Sequence, residues 1–493
     1  MTPFFMGIDI GGTMTKAAVF DAGGRQFAVS EMDTPQRFPF QGWCERDMTT
    51  LWTTVSLCIR SVLQKAEIPA EAVAAIGCTG HGKGLYLWGK DDRPADFAVA
   101  STDHRADKLV HDWELDGTAV RAAEYSLQHV RGCQPAALLR WYKDNRPDVY
   151  RNIQWVFEAK DYVRFMLTGE AYAEYTDYSG TSLMNLRTRS FDPALLGLFG
   201  IEEMEAALPT LRTSYEVCGF ITAQAAAATG LKAGTPVCGG MFDIDACAIA
   251  ADVSEENRLC VISGTWSINE YISSSPVLNS QTTLNSLFCL PEYYLIEESS
   301  PTSVGNLDWL VRNIMGEAKS FFSQADRMVE ALEPDQSEVV FLPFLYGSNS
   351  PNVPAAAFWG LTNSQERAHL LRALFEGVVF SHRVHVDRLR LLNPQLSAIW
   401  MTGGAVKSAV WTQMFADILG LPLEVVKAEE MGAKGAAMAA AVGAGYYDDF
   451  RKAADGMVKI TETIYPNESR KRVYEGKYQR YCKLSKVLEH MTD

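Results

Sequence analysis

The sequence predicts an α/β protein built from two domains of related design. Its 493 residues exceed what one hydrophobic core holds, and about two to four domains of ordinary size would use such a length. A strand, a glycine loop and a second strand occur near the start and again near residue 258. Amphipathic segments typical of helices lie between these units. Repetition of one supersecondary unit indicates two domains that share an ancestral design.

The first copy of this unit occupies the first thirty or so residues. Residues 4–10 are apolar apart from Asp9, the stretch 11–13 (Gly-Gly-Thr) interrupts them, and 16–20 resume the mainly apolar pattern after Lys16. The stretch 21–24 is typical of a hairpin turn and leads to a third strand at 27–31. The second copy has strands at 258–262 and 267–272, joined by a Ser-Gly-Thr loop.

Each half also contains a later strand that ends in glycines. Residues 73–78 lead into a Thr-Gly-His-Gly-Lys-Gly loop at 79–84, and residues 398–402 lead into Gly403 and Gly404. These patterns predict an N-terminal domain at 1–250 and a C-terminal domain at 251–493. Because ligand pockets favour domain interfaces, we expect a substrate cleft between the two domains.

Apolar residues at helical spacing predict the main helices. The segment 408–419 carries such a stripe and ends at Gly420, with Pro422 beyond it, as helices commonly end. The other helical segments are 49–65, 136–145, 159–168 and 365–391. An Ala- and Gly-rich stretch at 435–447 is too short to span a bilayer and predicts a buried helix that packs closely on its neighbours.

The net charge and the cysteine content indicate which classes of partner to expect and in which cellular compartment the protein works. With a formal net charge of −15, the surface repels phosphate backbones and anionic lipid, so we expect neither nucleic acid nor membrane as a partner. The ten cysteines form no C-x-x-C pair, which indicates free thiols in a reducing cytoplasm. No signal peptide is expected, since the apolar start runs straight into a glycine- and aspartate-rich stretch.

Residues 77–83 partly match the motif of a phosphate-binding P-loop. They match the first seven positions of G-x-x-x-x-G-K-[ST], but Gly84 stands where the magnesium-binding hydroxyl belongs. A P-loop must also open a helix, whereas 85–94 predict a hairpin. The three glycines therefore favour a loop whose backbone a substrate approaches closely.

Other residues supply what phosphoryl transfer needs, namely phosphate donors, a magnesium ion and a carboxylate. Asp9 ends a strand, and Gly12, Thr13 and Lys16 follow it. Taken alone, this stretch is also compatible with a plain turn beside a surface aspartate. Ser263, Gly264 and Thr265 repeat the chemistry in the second half, and two such loops facing across a cleft would hold a phosphate from both sides.

The acceptor hydroxyl requires a carboxylate that takes its proton. Asp243 and Asp245 follow an apolar strand and a glycine break, directly before a helix of small residues at 246–251. An aspartate at a helix start is by default an N-cap, so one of the two is compatible with that role alone. The other would stand in the cleft as general base.

Seven motifs in order resemble the FGGY carbohydrate kinases, over residues 6 to 445. They are the Asp-x-Gly-Gly-Thr at 9–13, GWCERD (42–47), KDYVRFMLTGE (160–170), GG-x-x-D (239–243), SGTW (263–266), EGVVFSHRVHVDRL (376–389) and TGGAVKSAVWTQMFADILGLPLEV (402–425). The resemblance implies two actin/hexokinase-like (ribonuclease H-like) domains flanking a central cleft, and an ATP- and Mg²⁺-dependent transfer of phosphate to a small sugar. Family habit favours a homodimer.

The resemblance also implies a role for each matching residue. Asp243 is the general base, with Asp245 the secondary candidate, and Asp9 holds Mg²⁺ with Asp243 close by. Gly12, Thr13 and Lys16 meet the β- and γ-phosphates from one side, and Gly264 and Thr265 from the other. Gly403, Gly404 and Ser408 line the adenosine pocket. The sugar is placed by His81, Gly82, Lys83, Asp103, Arg105 and Asp243.

Substrate identity depends on the loops. The chain lacks the Gln-Met-His-Gly-like loop of xylulokinases and the Asn-Gln-Arg-Glu-like loop of glycerol kinases. Four stretches look most similar to the L-xylulose kinase branch: GWCERDM (42–48), Gly-Lys-Gly (82–84), SPTSVGNLDW (300–309) and FLPFLYGSN (341–349). This implies a ketopentose such as L-xylulose as acceptor. Lys83 and Arg105 suit a substrate carboxylate, but a backbone-capping lysine and a salt-bridged arginine suit them equally. Another polyol or a gluconate-like acid, or a non-catalytic nucleotide-binding sugar sensor, stays open as an alternative.

Overall fold

The computed structural model describes residues 3–264, 266–278, 283–316, 321–347, 355–426 and 430–489. The chain forms two compact units, each assembled from three stretches of sequence. Unit 1 contains Met1–Ser254, Ser273–Leu295 and Ala428–Val458, and unit 2 contains Glu255–Ile272, Ile296–Lys427 and Lys459–Asp493. The units are thus composite in sequence, and the division at residue 250 stays a prediction.

The strands occur throughout the chain, singly or in runs of up to four. They are β1 (Phe4–Ile10), β2 (Met14–Asp21), β3 (Gln26–Asp33), β4 (Glu45–Arg46), β5 (Val73–Gly80), β6 (Tyr86–Gly89), β7 (Ala98–Val99), β8 (Ile153–Phe157), β9 (Tyr172–Glu174), β10 (Met184–Asn185), β11 (Ser190–Phe191), β12 (Thr210–Arg212), β13 (Val217–Phe220), β14 (Pro236–Cys238), β15 (Met241–Phe242), β16 (Arg258–Ser263), β17 (Ser267–Ser273), β18 (Leu284–Leu287), β19 (Tyr294–Ser300), β20 (Val340–Leu342), β21 (Ala357–Trp359), β22 (Ala398–Gly403), β23 (Leu423–Val426) and β24 (Ile460–Ile464).

The α-helices include every long helical segment that the sequence predicts. They are α1 (Met48–Ala66), α2 (Asp107–Leu115), α3 (Thr118–Ser126), α4 (Pro135–Asn145), α5 (Pro147–Asn152), α6 (Ala159–Thr168), α7 (Tyr175–Tyr178), α8 (Pro193–Phe199), α9 (Ala223–Thr229), α10 (Asp243–Ala250), α11 (Gly305–Trp309), α12 (Phe322–Glu330), α13 (Arg367–Leu392), α14 (Ala409–Leu419), α15 (Met431–Gly443), α16 (Phe450–Met457) and α17 (Glu468–Glu489).

The main sheet of unit 1 has the strand order β13-β14-β5-β1-β2-β3, with β15 paired to the end of β5. β1 pairs antiparallel with β2 and parallel with β5, so the loops after β1 and β5 lie side by side at the carboxyl ends of two parallel strands. Open α/β sheets bind their ligands at such an edge. This register therefore places the turn at 11–13, predicted to bind phosphate, beside the loop at 79–84, which is predicted to approach the sugar and is called the sugar loop below.

The sheet of unit 2 repeats that arrangement. Its strands β19-β17-β16-β22-β23-β24 follow in order, and β16 pairs antiparallel with β17 and parallel with β22. The strands β16, β17 and β22 thus correspond in topology to β1, β2 and β5. The internal repeat that the sequence predicts is confirmed as a repeat of sheet topology.

Helix α15 is the buried small-residue helix that the sequence predicts. It packs in unit 1 against β1, β5 and α10, and the backbone of Ala433 and Ala436 lies where a Cβ on Gly7 or Gly77 would stand. Close approach of a helix to a sheet therefore requires glycine at both strand positions. The prediction of a closely packed helix is confirmed.

The ten cysteines all lie within the described residues, and none of them forms a disulfide there, as the sequence predicts. Over the described residues, no helix combines the length and the apolar character that crossing a bilayer requires.

Candidate functional site

The turn between β1 and β2 is open to a ligand. The Gly11 amide donates to the carbonyl of Met14 at 2.9 Å and closes the turn, while Gly12 and Thr13 are exposed. A Cβ placed on Gly12 would meet no atom within 4 Å. This free space lies at the carboxyl end of β1, where backbone amides can approach a phosphate group. The turn 11–13 is called the phosphate loop below.

Asp9 and Lys16 lie opposite each other on the two strands of this hairpin. Burial raises the pKa of the Asp9 carboxyl to about 6, although Lys16 opposes the shift. The Lys16 ammonium forms an ion pair with Glu430 at 2.7 Å. A phosphate bound at the predicted position would therefore compete with Glu430 for the Lys16 ammonium.

The start of α15 packs against Asp9. A Cβ on Gly432 would stand 2.6 Å from Asp9 Oδ2, so only glycine leaves room for the carboxylate. Glu430, which pairs with Lys16, precedes the same helix. One helix start thus fixes the surroundings of both residues predicted to handle phosphate and magnesium.

Asp243 is the first residue of α10, directly after β15. Because β15 pairs with the last residues of β5, Asp243 follows the strand edge that carries the sugar loop. Its side chain is partly exposed. Burial, then the charges of Asp9 and Asp177, raise the pKa of the Asp243 carboxyl well above its usual range, against smaller effects of the Ile244 amide and Lys83.

Asp245 differs from Asp243 in accessibility. It is the third residue of α10 and is fully buried, whereas Phe242, not an aspartate, is the N-cap of that helix. The expectation that one of the two aspartates caps the helix is therefore wrong. A general base must reach the hydroxyl it deprotonates, so the accessible Asp243 fits that task better than Asp245.

The predicted sugar loop follows β5 and does not open a helix. Residues 81–85 lead instead to β6, which turns back towards Pro94, so the prediction that 77–83 is not a P-loop is confirmed. Lys83 adopts a left-handed backbone (φ 63°) and its ammonium lies 5.7 Å from the centre of the Phe242 ring. Among the described residues, no carboxylate lies within ion-pair distance of this ammonium.

Asp103 and Arg105 lie in a buried ion-pair cluster. Arg105 donates to Asp103 and to Glu45 at 2.8 Å, stacks on Trp43, and leaves about 1% of its side chain exposed. Asp103 also accepts the Cys44 amide at 2.7 Å. Asp103 and Arg105 thus pair with each other and with the 42–47 segment. Their contact with the sugar stays a prediction.

The predicted nucleotide residues of unit 2 meet at one edge of its sheet. Ser263 pairs with Gly403 across β16 and β22, so Gly264 and Gly404 follow neighbouring strand ends. Gly403 has a φ of 102°, which requires glycine. Thr265 lies outside the described residues.

Ser408 is the N-cap of α14. It accepts the Trp411 amide and donates to Asp326 Oδ1 at 2.7 Å. Both hydrogen bonds of its hydroxyl are thus made within the protein. A nucleotide bound here would contact Ser408 through atoms other than the hydroxyl.

Comparison with known proteins identifies the family to which this chain belongs. The model of the FGGY family of carbohydrate kinases, N-terminal domain, matches residues 4–250, and that of the C-terminal domain matches 259–444. This chain belongs to the FGGY family of carbohydrate kinases. It has the two-domain mixed α/β fold of that family, and it is a carbohydrate kinase.

Individual relatives of this FGGY kinase cover its full length. It is 37% identical to the L-xylulose/3-keto-L-gulonate kinase of Escherichia coli (strain K12) over 99% of this chain and 98% of that protein. It is 35% identical to the probable L-xylulose kinase of Pasteurella multocida (strain Pm70) over 99% of both. A crystal structure of xylulose kinase from Rhodospirillum rubrum matches with a TM-score of 0.90 at 25% identity over 99% of both chains.

Asp177 is a residue of this FGGY kinase that sequence reasoning missed. It lies in α7, fully buried, and a Cβ on Gly82 would stand 2.6 Å from its Oδ1. Burial raises the pKa of its carboxyl to about 7, although Lys160, 3.3 Å from Oδ2, opposes the shift. The sequence offers no signal for it, because only the fold brings α7 beside the sugar loop. Glu430 and Gly432 were missed for the same reason.

The carboxylates of unit 1 suit magnesium. Within the described ranges no three His, Cys, Asp or Glu side chains gather as a closed metal cage. Magnesium in kinases needs fewer, since one or two carboxylates, substrate phosphates and water complete its shell. Burial raises the pKa of both Asp9 and Asp243, and the charge of Asp9 raises the pKa of Asp243 further. A divalent cation beside these carboxyl groups would favour their ionised forms.

Proposed function

We propose that this FGGY kinase transfers the γ-phosphate of ATP to a hydroxyl of a ketopentose such as L-xylulose, with Asp243 as general base. The accessible Asp243 at the start of α10 carries this proposal, because its carboxyl lies in the electrostatic range of Asp9 behind the phosphate loop. The relatives named for L-xylulose, at 34–37% identity, support the ketopentose.

We assign individual residues to the binding of ATP, the phosphate donor. Gly12, Thr13 and Lys16 would meet the phosphates from unit 1, and Gly264 and Thr265 from unit 2, while Gly403, Gly404 and Ser408 would line the adenosine pocket. Asp9 would hold Mg²⁺, with Asp243 nearby. The ion would neutralise charge on the β- and γ-phosphate oxygens. Residues 1–250 would then form the sugar-binding and catalytic domain, which also contacts the phosphates, and residues 251–493 would form the nucleotide-binding domain.

The acceptor half needs a carboxylate that takes a proton. Asp243 would accept the hydroxyl proton as the oxygen bonds to the γ-phosphorus and ADP leaves. His81, Gly82 and Lys83 would place the sugar. Such an enzyme needs no nucleic acid or membrane partner, and we propose that it works in the cytoplasm as a homodimer.

A panel of acceptors tests this function. ADP release from Mg-ATP is measured with L-xylulose, D-xylulose, glycerol and gluconate, and again with magnesium chelated. L-Xylulose is expected to give the highest kcat/KM, at least about 10-fold above glycerol and gluconate, and chelation is expected to stop the reaction. If none of the four acceptors stimulates ADP release, the ketopentose proposal fails and the alternative of a nucleotide-binding sugar sensor of the same fold gains support.

A sugar acid is a second acceptor class that one observation favours. Lys83 is a partly exposed cation with no carboxylate in ion-pair distance among the described residues, and one relative is named for 3-keto-L-gulonate as well as L-xylulose. Lys83→Met is therefore expected to raise KM for 3-keto-L-gulonate about 10-fold or more and to change KM for L-xylulose less. Equal changes for both acceptors would exclude carboxylate recognition by Lys83.

A further inference from the structure

Arg46 is a buried cation that joins the phosphate loop to the sugar loop. Its side chain is about 1% exposed at the end of β4. It donates from Nη2 to the carbonyl of Gly12, and from Nη1 to the Gly11 carbonyl at 3.5 Å and to the Tyr86 hydroxyl at 3.2 Å. The same Nη1 lies 3.3 Å from His81 Nε2.

The charge of Arg46 has no counter-charge in this part of the fold. Among the residues that the structure describes, no Asp or Glu oxygen lies within 4 Å of its guanidinium, and its Nε has no hydrogen-bond partner. The buried Arg105 and Arg164, by contrast, each contact a carboxylate at 2.8 Å. A buried and unpaired cation is costly, so its presence next to a candidate anion site requires an explanation.

The hydrogen bonds of Arg46 determine which way the loop amides face. In a trans peptide the C=O and N–H groups point in opposite directions. Arg46 holds the carbonyls of Gly11 and Gly12, so the amides of Gly12 and Thr13 face the other way. Gln36 adds a second donor to the Gly12 carbonyl at 2.7 Å. Donation to these carbonyls also polarises the peptides and strengthens their N–H groups as donors.

The sugar loop is tied to the same cation. The His81 amide donates to the Ile10 carbonyl at 3.1 Å, directly before the phosphate loop. Burial, then the charge of Arg46, lowers the pKa of His81 to about 3, so its imidazole stays neutral. With Tyr86 Oη 3.0 Å from Nε2, the ring is fixed between the two loops.

We propose that Arg46 is a positioning residue that orients the amides of the phosphate loop and supplies the positive charge that a bound nucleotide phosphate compensates. The inference rests on the proposed function only in naming that phosphate as the one of ATP. Arg46 acts through the Gly11 and Gly12 peptides and through His81. Loss of its charge therefore weakens phosphate binding more than it weakens folding.

Three variants separate charge from hydrogen bonding. Arg46→Met removes both, Arg46→Gln keeps donors without charge, and Arg46→Lys keeps the charge. ADP affinity is measured by calorimetry, and kcat and KM for ATP by ADP release with L-xylulose. Arg46→Met is expected to weaken ADP binding and to raise KM for ATP by about 10- to 100-fold, as charge-assisted hydrogen bonds imply. Arg46→Lys is expected to retain more affinity than Arg46→Gln.

Arg60→Met is the matched control. Arg60 also donates to two backbone carbonyls, of Ala227 and Ala228 at 2.7 Å, but on the surface of the same unit. It is expected to leave ADP affinity and KM for ATP unchanged. Circular dichroism and thermal unfolding establish that each variant folds.

The outcomes separate this inference from the proposed function. A folded Arg46→Met with wild-type ADP affinity and KM would overturn the role of Arg46. If that variant fails to fold, Arg46→Gln with the affinity of Arg46→Lys overturns it equally. If the wild type binds ADP in an Arg46-dependent way but phosphorylates no sugar, the inference holds and the proposed function fails.

Discussion

At the scale of single residues, unit 1 keeps several carboxyl groups in conditions that disfavour their charge. Asp9, Asp177 and Asp243 all have raised pKa values, and in each case burial is the largest cause. Groups with perturbed pKa values cluster at functional sites. Lys16 and Lys83 oppose the shifts without cancelling them, so the cluster suits a site that receives a cation along with an anionic ligand.

Arg105 is expected to stabilise the fold through its buried ion pairs, and a substitution can test this. Arg105→Met leaves Asp103 and Glu45 buried with fewer partners, so we expect a loss of about 3 kcal/mol in the free energy of unfolding, measured by urea denaturation. Arg93→Met, which breaks an exposed pair with Asp91, is expected to cost much less, because water screens that pair in the folded protein. Equal losses in the two variants would mean that the Arg105 cluster does not stabilise the fold.

At the scale of elements, α15 determines how the strands of unit 1 present their loops. It packs on β1 and β5 through small residues, and its first turn meets Asp9. A helix seated this closely positions the strand ends that carry the phosphate and sugar loops. A larger side chain in the contact would displace the helix and the sheet from each other.

Gly435 tests this packing. Its Cβ would collide with the backbone of Ala246 in α10, so Gly435→Ala is expected to lower the free energy of unfolding by about 1–3 kcal/mol. Gly476 lies inside α17 with no atom near its Cβ position, and Gly476→Ala should be neutral or stabilise by up to about 1 kcal/mol. A stabilised Gly435→Ala variant would contradict the close helix contact.

The sequence predicts elements better than it predicts contacts between them. The strands around the phosphate loop, the strand before Gly403 and the long helices all follow from local periodicity and turn residues, and the family motifs add Asp9 and Asp243. Asp177, Gly432 and the partners of Arg105 do not follow, because each depends on segments far apart in the chain. Arg105 is an example. From its motif alone, an arginine at this position is compatible with a ligand contact or with a buried ion pair, and the sequence does not show the carboxylates that surround it.

At the scale of the whole molecule, buried histidines connect pH to stability. His382 in α13 contacts Ser267, Asn269 and Ser303, and burial, with a smaller effect of His385, lowers its pKa to about 3. An unfolded histidine titrates near 6.5. Its neutral form therefore contributes stability above pH 6.5, and this contribution is lost as the pH falls, because only the unfolded chain takes up the proton.

Replacement of His382 should reduce this acid sensitivity. Between pH 7.5 and 5.5 the wild type is expected to lose about 1.4 kcal/mol more unfolding free energy than His382→Gln, whatever the stability of the variant at neutral pH. His111→Gln is the control, because 66% of that side chain is exposed and solvent surrounds it in both states. Urea unfolding at the two pH values measures the difference, and parallel pH slopes for wild type and His382→Gln would refute it.

The most direct measurement compares Asp243→Asn with wild type in the transfer of phosphate from Mg-ATP to L-xylulose. If Asp243 takes the proton of the acceptor hydroxyl, kcat falls by about 10²- to 10⁴-fold while ADP binding persists. Asp245→Asn, two residues along the same helix and fully buried, is expected to keep kcat within about 10-fold of wild type when folded. Near-normal turnover in Asp243→Asn would contradict the assignment of the general base.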